Sequence, residues 1–354
     1  MELSGICGTD KHSFTGFAKQ YSGTDHERSL PFPIIPGHEN VGRIAAIGRR
    51  ETPLSDFTGR PLAEGDRVVL GANLACGDCY YCRHGFAYYY CARMEDYGNS
   101  LSAAKPPHLF GGWAEYLYAL PGSFLFKVPD DLPSEIAVLT EIMAVTASLD
   151  KAKQFSTVAT EGFRFGDTVV VQGVGPLGLC HVMKARMLGA GNVVAIDRSS
   201  FRLKMALDLG ADCALNLAET DAKSRLQAVR DLTQGRGADV VVECAGVPQA
   251  VPEGLDLLRP GGFFLEVGNF SDLGVASINP HLICAKNLRI IGIGGEAITS
   301  YAPSLDLLNR YRRHYPLDQI VTHRYPIDQA EAALRQSMAD DSMKVVIDNV
   351  KRNA

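Results

Sequence analysis

The sequence predicts an α/β protein of two domains, a β-rich, loop-heavy lobe and a doubly wound parallel-sheet domain. Three observations predict it. The 354 residues exceed what one ordinary core encloses, because cores stop growing near ~250–300 residues. Gly and Pro punctuate the chain up to about Met143, between short runs such as Gly65 to Leu70 and Ala114 to Ala119 that read as strands. From about Val145 the texture changes to apolar strand runs separated by helical patterns, the signature of a parallel sheet with crossover helices.

In order along the second region, the strand runs are Thr168 to Gln172, Val193 to Ile196, Val240 to Glu243 and Phe263 to Val267. Helical patterns fall at Leu177 to Leu188 and Phe201 to Leu209. After Leu288 to Ile293 come a helix-like stretch, Ser304 to Arg313, and an apolar run, Lys344 to Asp348. This tail is too short to be a domain of its own. No internal repeat and no low-complexity tract interrupts the pattern.

Composition narrows the function classes. Hydrophobic residues at 46% and charged residues at 21% are ordinary globular usage and leave no room for a long disordered tail. The formal net charge is −5 and no Lys/Arg run forms a basic stripe, which argues against a nucleic-acid partner. No apolar run reaches a membrane span, and Met1 opens on Glu-Leu-Ser-Gly rather than on a basic and then apolar signal region. No membrane partner is expected, and a cytoplasmic location follows. Nine cysteines would be awkward as disulfides in that reducing compartment, and four of them crowd between Cys76 and Cys91, so metal is the better explanation.

Gln172 closes a valine-rich strand and leads into Gly173, Val174, Gly175, Pro176, Leu177 and Gly178, a G-x-G-x-x-G run that opens directly into a helix. These glycines provide a tight turn, close backbone approach to a pyrophosphate, and close helix–strand packing at a helix N-terminus that attracts phosphate. Asp197 ends the next strand, where an acid accepts from both ribose hydroxyls and repels the extra phosphate of NADP. NAD is therefore the expected cofactor, although Arg198 and Arg202 lie near enough to partner a phosphate.

Cys76, Cys79, Cys82 and Cys91 form C-x2-C-x2-C-x8-C. Four thiolates on one loop suit a closed tetrahedral zinc, which serves structure rather than chemistry. An iron–sulfur cluster fits less well, because the fourth cysteine lacks the short spacing and the following proline. A vacant or redox-active loop is the remaining alternative. Tyr80, Tyr81, Tyr88, Tyr89 and Tyr90 are expected to pack the loop against a neighbour.

The order of Gly5-Ile-Cys-Gly-Thr-Asp-Lys-His12, Gly37-His-Glu-Asn-Val-Gly42, Gly65-Asp-Arg-Val-Val69, the four-cysteine loop, Gly111-Gly-Trp-Ala-Glu-Tyr116 and the glycine fingerprint resembles the zinc-containing medium-chain dehydrogenase/reductase family over nearly the whole chain. The resemblance implies a GroES-like catalytic domain over 1–143, resumed by 295–354, with a Rossmann domain over 144–294 and an active site in the cleft between them. It implies a catalytic zinc held by Cys7 and His38, with Glu141 in the place of the family's third ligand and Glu39 as the other acidic candidate. Either carboxylate could instead orient a ligand from behind. Thr9 resembles the hydroxyl that bonds the substrate oxygen, His12 the outer end of a proton relay, and Asp10 a group that orients a ligand.

The implied activity is hydride transfer from a small alcohol to NAD, giving a ketone or aldehyde, with two zinc ions per chain. Glu141 in place of a cysteine tilts the substrate toward secondary, cyclic or polyol alcohols. A zinc-free enone or quinone reductase and a non-catalytic zinc- and nucleotide-binding protein are the competing readings. By the same resemblance the chain is expected to form a homodimer or homotetramer.

Three departures stand out. The last gap of the cysteine loop is one residue longer than usual in the family, Gln154 to Gly162 lengthens the join into the nucleotide domain, and Cys7 lies unusually near Met1. The last suggests that Met1 is an alternative start and that the opening strands of the catalytic domain are encoded upstream in frame; a naturally short member that seals its sheet edge differently is the alternative.

Overall fold

Valine at positions 169, 170 and 171 makes the strand Thr168–Gln172 apolar on both faces, as a strand covered by helices on both sides must be. It lies inside a six-stranded sheet whose order is Cys213–Asn216, Asn192–Asp197, Thr168–Gln172, Ala238–Glu243, Leu258–Glu266 and Arg289–Gly292. Every pairing in it is parallel. Numbered by chain position, that order is 3-2-1-4-5-6, the doubly wound arrangement whose direction reverses beside Thr168–Gln172. Val170, Val194, Val241, Leu255 and Phe264 fill the core against one face.

Helices Pro176–Met187, Ser200–Asp208, Ala222–Leu232 and Ala250–Leu257 make the crossovers. Their starts follow side-chain chemistry. Ser199 accepts from Arg202 N–H and Asp221 from Ser224 N–H, each satisfying a donor that the first turn leaves unpaired. The sequence reading names neither the strand Cys213–Asn216, which is four residues long, nor the helix Ala222–Leu232, which has few apolar side chains.

The computed structural model describes residues 1–16, 19–25, 27–154, 162–295 and 297–349. The chain divides into Met1–Ala144 with Ala297–Ala354, and Val145–Glu296. Residues 155–161, most of the long join, lie outside the described residues.

The first unit is built on a second six-stranded sheet, ordered Val321–Tyr325, Lys344–Asp348, Leu3–Gly5, Glu39–Arg43, Arg67–Leu70 and Leu125–Lys127. The C-terminal strand thus lies directly beside the N-terminal one, which places residues more than 300 positions apart in contact. Helix Tyr301–Tyr311 returns to this unit, and Tyr301 stacks on Phe126 at 5.1 Å between ring centres.

One expectation fails here. Ala114 to Ala119 forms no strand. Its backbone is satisfied piecemeal, with Tyr118 N–H donating to Leu109 O, Asn349 Nδ2 to Ala114 O, and the Met1 ammonium to Glu115 O. Alternating aromatic and apolar residues mimic strand periodicity without a ladder partner. Among the described residues, no helix is long and apolar enough to cross a membrane.

Candidate active site and metal centres

Cys7 ends the stretch after the strand Leu3–Gly5 and caps the helix Gly8–Phe14. Asp10 Oδ2 accepts from Cys7 N–H at 2.8 Å and Asp10 Oδ1 from Gly37 N–H at 3.4 Å. One carboxylate therefore ties the backbone at Cys7 to the turn just before His38. Burial pushes the Asp10 carboxyl up, while His38 and the Cys7 N–H oppose the rise. Thr9 and His12 lie three residues apart on this helix, hence on one face, and both are half-buried. Burial, and then Lys11, lower the His12 pKa, so its imidazole is neutral near pH 7 and able to accept a proton.

His38 is buried beside Cys7. Burial opposes a charge on its ring, but Cys7, Asp10 and Glu141 outweigh this and raise its pKa well above the ordinary value. Its Nδ1 is buried without a hydrogen-bond partner, an expensive condition for a polar atom unless a ligand or ion meets it. The ligand atoms of Cys7, His38 and Glu39 all lie within 4.8 Å of one another. Thiolate, imidazole and carboxylate are the donor set of a zinc centre, and the orphaned nitrogen fits such an ion. Glu141, buried in the first turn of helix Thr140–Val145, stands outside that 4.8 Å group but close enough for its charge to act on both His38 and Lys344.

Gly37 and Gly5 make the close packing here possible. Gly37 adopts φ +95°, and a Cβ there would come within 2.4 Å of the Trp113 ring, so the indole lies against the turn that carries His38. A Cβ on Gly5 would come within 1.9 Å of Glu39 Oε2.

The sequence reading missed Lys344. Its Nζ donates to Glu39 Oε1 at 2.7 Å, Glu39 Oε2 at 2.6 Å and Ile6 O at 3.1 Å. All three ammonium hydrogens are engaged, in a site where Lys344 and Glu39 are only 2% and 0% exposed. Burial works against the lysine's charge, but Glu39 and then Cys7 raise its pKa. The available signal was a lone lysine heading a fully apolar strand run.

The cysteine loop closes on itself. Sulfur separations are 3.5 Å for Cys79–Cys82, 3.9 Å for Cys76–Cys82 and 4.0 Å for Cys79–Cys91. A tetrahedron with Zn–S bonds of about 2.3 Å has an edge of about 3.8 Å, so the loop has the dimensions of a zinc site. Cys76 and Arg93 direct backbone N–H groups at Cys91 Sγ, at 3.3 and 3.4 Å. The Cys82 and Ala92 N–H groups bring Cys79 down to about 6, whereas burial pushes Cys91 up to about 12. Bringing all four thiols to thiolate together requires a cation among them. The tyrosines pack largely on one another, with Tyr89–Tyr90 ring centres at 4.7 Å and Tyr81–Tyr90 at 6.1 Å. Tyr88 alone of the five is buried, and it donates to Asn73 Oδ1.

In the second unit each fingerprint glycine answers a distinct constraint. Gly173 has φ +80°, and a Cβ there would come within 2.5 Å of Ala245 Cα. A Cβ on Gly178 would strike Gly173 O at 1.9 Å, while one on Gly175 would meet open space, the cradle in which a pyrophosphate approaches the backbone. Gly175 caps the helix whose first residues are Pro176 and Leu177. Asp197 accepts from Val174 N–H at 2.8 Å and Ser199 N–H at 2.9 Å, so it braces the loop from the neighbouring strand. Arg202 is half-buried one turn into the following helix, and Arg198 is exposed.

Comparison with known proteins identifies the family. Residues 1–130 match the alcohol dehydrogenase GroES-like domain and residues 176–310 the zinc-binding dehydrogenase domain. A 5-exo-hydroxycamphor dehydrogenase from Pseudomonas putida is 33% identical, covering 98% of this chain and 90% of its own length. An erythritol/L-threitol dehydrogenase from Mycolicibacterium smegmatis is 30% identical over 94% of this chain and 85% of its own. The crystal structure of an alcohol dehydrogenase from Thermotoga maritima superposes with a TM-score of 0.86 at 31% identity, covering 98% of this chain and 90% of that one. Relatives named as dehydrogenases favour neither a zinc-free reductase nor a non-catalytic protein. With both domain types matched and a relative of this identity spanning nearly its full length, the chain belongs to the zinc-containing medium-chain dehydrogenase/reductase family and is an alcohol dehydrogenase that works with zinc and a nicotinamide cofactor.

Proposed function

We propose that this enzyme oxidises a secondary, cyclic or polyol alcohol with NAD, using a catalytic zinc held by Cys7, His38 and Glu141 and a second zinc held by the cysteine loop. The gathering of Cys7 and His38 with Glu39 within 4.8 Å, with buried Glu141 close enough for its charge to act on His38, beside the helix that carries Thr9 and His12, is the observation that carries this reading. Glu39 is the reserve carboxylate, because both of its oxygens already accept from Lys344. When bound, zinc supplies a Lewis acid toward the alcohol oxygen and the nicotinamide supplies the hydride acceptor. Thr9 offers a hydroxyl to orient the substrate oxygen, and neutral His12, one helical turn on, offers a base through which the proton leaves. The names of relatives acting on hydroxycamphor, on erythritol and threitol, and on sorbitol support a ring or chain hydroxyl as the target.

Asp197 supports NAD over NADP, since its buried carboxylate would meet a 2′-phosphate with like charge. The exposed Ile290 on the edge strand Arg289–Gly292 supports assembly through that edge into a homodimer or homotetramer. Four adjacent cysteines joined by no disulfide suit the reducing cytoplasm.

The test is an alcohol panel with NAD and with NADP, followed by absorbance of the reduced nicotinamide, on protein of measured zinc content with and without a chelator. Turnover of secondary alcohols with NAD, lost on chelation, is the expected result. Asp197→Ala should narrow the preference for NAD by about tenfold or more. Equal kcat/KM for both cofactors in the wild type overturns the NAD assignment, and no turnover of any secondary alcohol overturns the substrate class.

A further inference from the structure

We propose that Glu243 and Glu266 share one proton and that this acid pair positions the Ala245–Gly246 turn against the dinucleotide loop. The inference rests on reading the Gly173 loop as the nicotinamide-dinucleotide site. Glu243 and Glu266 end adjacent parallel strands in direct register, and strands lie about 4.8 Å apart, so their carboxyl groups emerge side by side on one face. Asn269 Nδ2 spans them, donating to Glu243 Oε2 at 3.2 Å and Glu266 Oε1 at 3.0 Å. Glu266 Oε2 is buried with no partner. One proton held between that oxygen and Glu243 removes the orphan and one of two adjacent charges at once.

The other oxygen of Glu243 does the positioning. Glu243 Oε1 accepts from Ala245 N–H and Gly246 N–H, both at 2.8 Å. Ala245 is the residue that a Cβ on Gly173 would strike, so the turn clamped by Glu243 is the floor under the first fingerprint glycine. Cys244 N–H also donates to Gln172 O at 2.7 Å, on the residue that precedes Gly173. When the proton leaves for solvent, two carboxylates face each other across adjoining strands, and the turn and the loop resting on it must shift.

Titratable neighbours do not replace that proton. Burial, and then Glu243, Glu266 and Cys180, raise the Cys244 thiol far above its ordinary value. His181, with Nδ1 at 3.6 Å from Cys244 Sγ, is pushed down to about 4 by burial, so both groups are neutral near pH 7. On the packed elements, Glu253 pairs with Arg225, Asp150 with Lys184, and Arg289 lies over the Phe263 ring. Burial, and then Glu266, raise Glu243 to about 8. Between the ordinary carboxyl value and about 8 the folded chain holds a proton that the unfolded chain has lost, so the pair's contribution to stability is full in acid and falls as pH rises to about 8.

The experiment measures the NADH dissociation constant and the thermal midpoint against pH in the wild type and in Glu266→Gln, whose amide donates permanently where the proton would. In the wild type the NADH dissociation constant should rise about tenfold as pH passes through the pair's titration, the linkage worth of one pKa unit. In Glu266→Gln that rise should disappear, and the fall in thermal midpoint toward pH 8 should flatten. Parallel profiles in the two proteins overturn the proposal. Infrared spectroscopy of the wild type decides independently, even if the variant does not fold. An un-ionised carboxyl C=O band at pH 7 that disappears near pH 8 supports the shared proton, and its absence overturns it. Failure of NADH to bind the wild type at any pH would count against the dinucleotide site instead, leaving the infrared band to decide the proton.

Discussion

The cysteine loop and the Cys7–His38–Glu39 cluster both belong to the first unit, yet their ligands are held in place by different means. The loop draws four identical donors from one stretch of chain, Cys76 to Cys91, and their sulfur atoms already stand at tetrahedral spacing. The other cluster draws unlike donors from separate segments, the cap of helix Gly8–Phe14 and the strand Glu39–Arg43 with the residue before it. Asp10 bridges those segments and Lys344 anchors Glu39 from the far end of the sequence. Four thiols packed on one loop depend on an ion to become thiolates together and so couple metal to folding, whereas a cluster braced across segments by Asp10 and Lys344 can hold its shape without one.

The same substitution at the two places should therefore have opposite effects. Cys79→Ala should remove one zinc equivalent and about 4 kcal/mol or more of stability, the range reached when a structural metal is lost. Cys7→Ala should remove the other equivalent and abolish turnover, while costing about 1 kcal/mol or less, as small changes away from a folding element do. Metal analysis beside chemical denaturation reads both, and a folded Cys79→Ala protein that keeps both ions would erase the distinction.

Lys344→Met sharpens the contrast from the side of the second cluster. It leaves Glu39 charged and buried without its cation, which costs about 3–5 kcal/mol. Adding Glu39→Gln should return most of that loss in urea unfolding. If the double variant is no more stable than the single one, the ammonium serves packing rather than charge.

Asp10→Ala is the smallest of the three. It removes the acceptor of the Cys7 N–H, which is only part-buried, and of the Gly37 N–H, whose bond is long at 3.4 Å, so the two together should cost about 1–2 kcal/mol. Because both precede or carry a proposed ligand, zinc affinity at this cluster should weaken while the loop zinc is retained. Competition with a chromogenic chelator separates the two ions, and equal weakening at both would break the comparison.

The same division explains what the sequence disclosed. Val169 to Val171 and the glycine fingerprint were legible because a parallel strand buried on both faces and a phosphate-binding turn each have a local signature. The four cysteines were legible for the same reason. The Lys344–Glu39 pair, separated by 305 positions, has no local signature, since it exists only because the last strand lies beside the first. Helix Gly8–Phe14 was hidden behind its short length, although Asp10, three residues after Cys7, is the mark of a capping box. Ala114 to Ala119 erred in the other direction, because alternation indicates a strand only where a neighbour supplies the ladder.

Gly37 has one more consequence. By leaving room for the indole of Trp113, it sets the chain's only tryptophan against the residue before His38. Excited on the red side of tyrosine absorption, the protein therefore emits from a single known place. Arrival or withdrawal of an ion at Cys7 and His38 should change that emission, whereas exchange at the cysteine loop, whose aromatic neighbours are tyrosines and Phe86, should leave it unchanged. The enzyme carries its own optical gauge, set beside one of its two candidate metal sites.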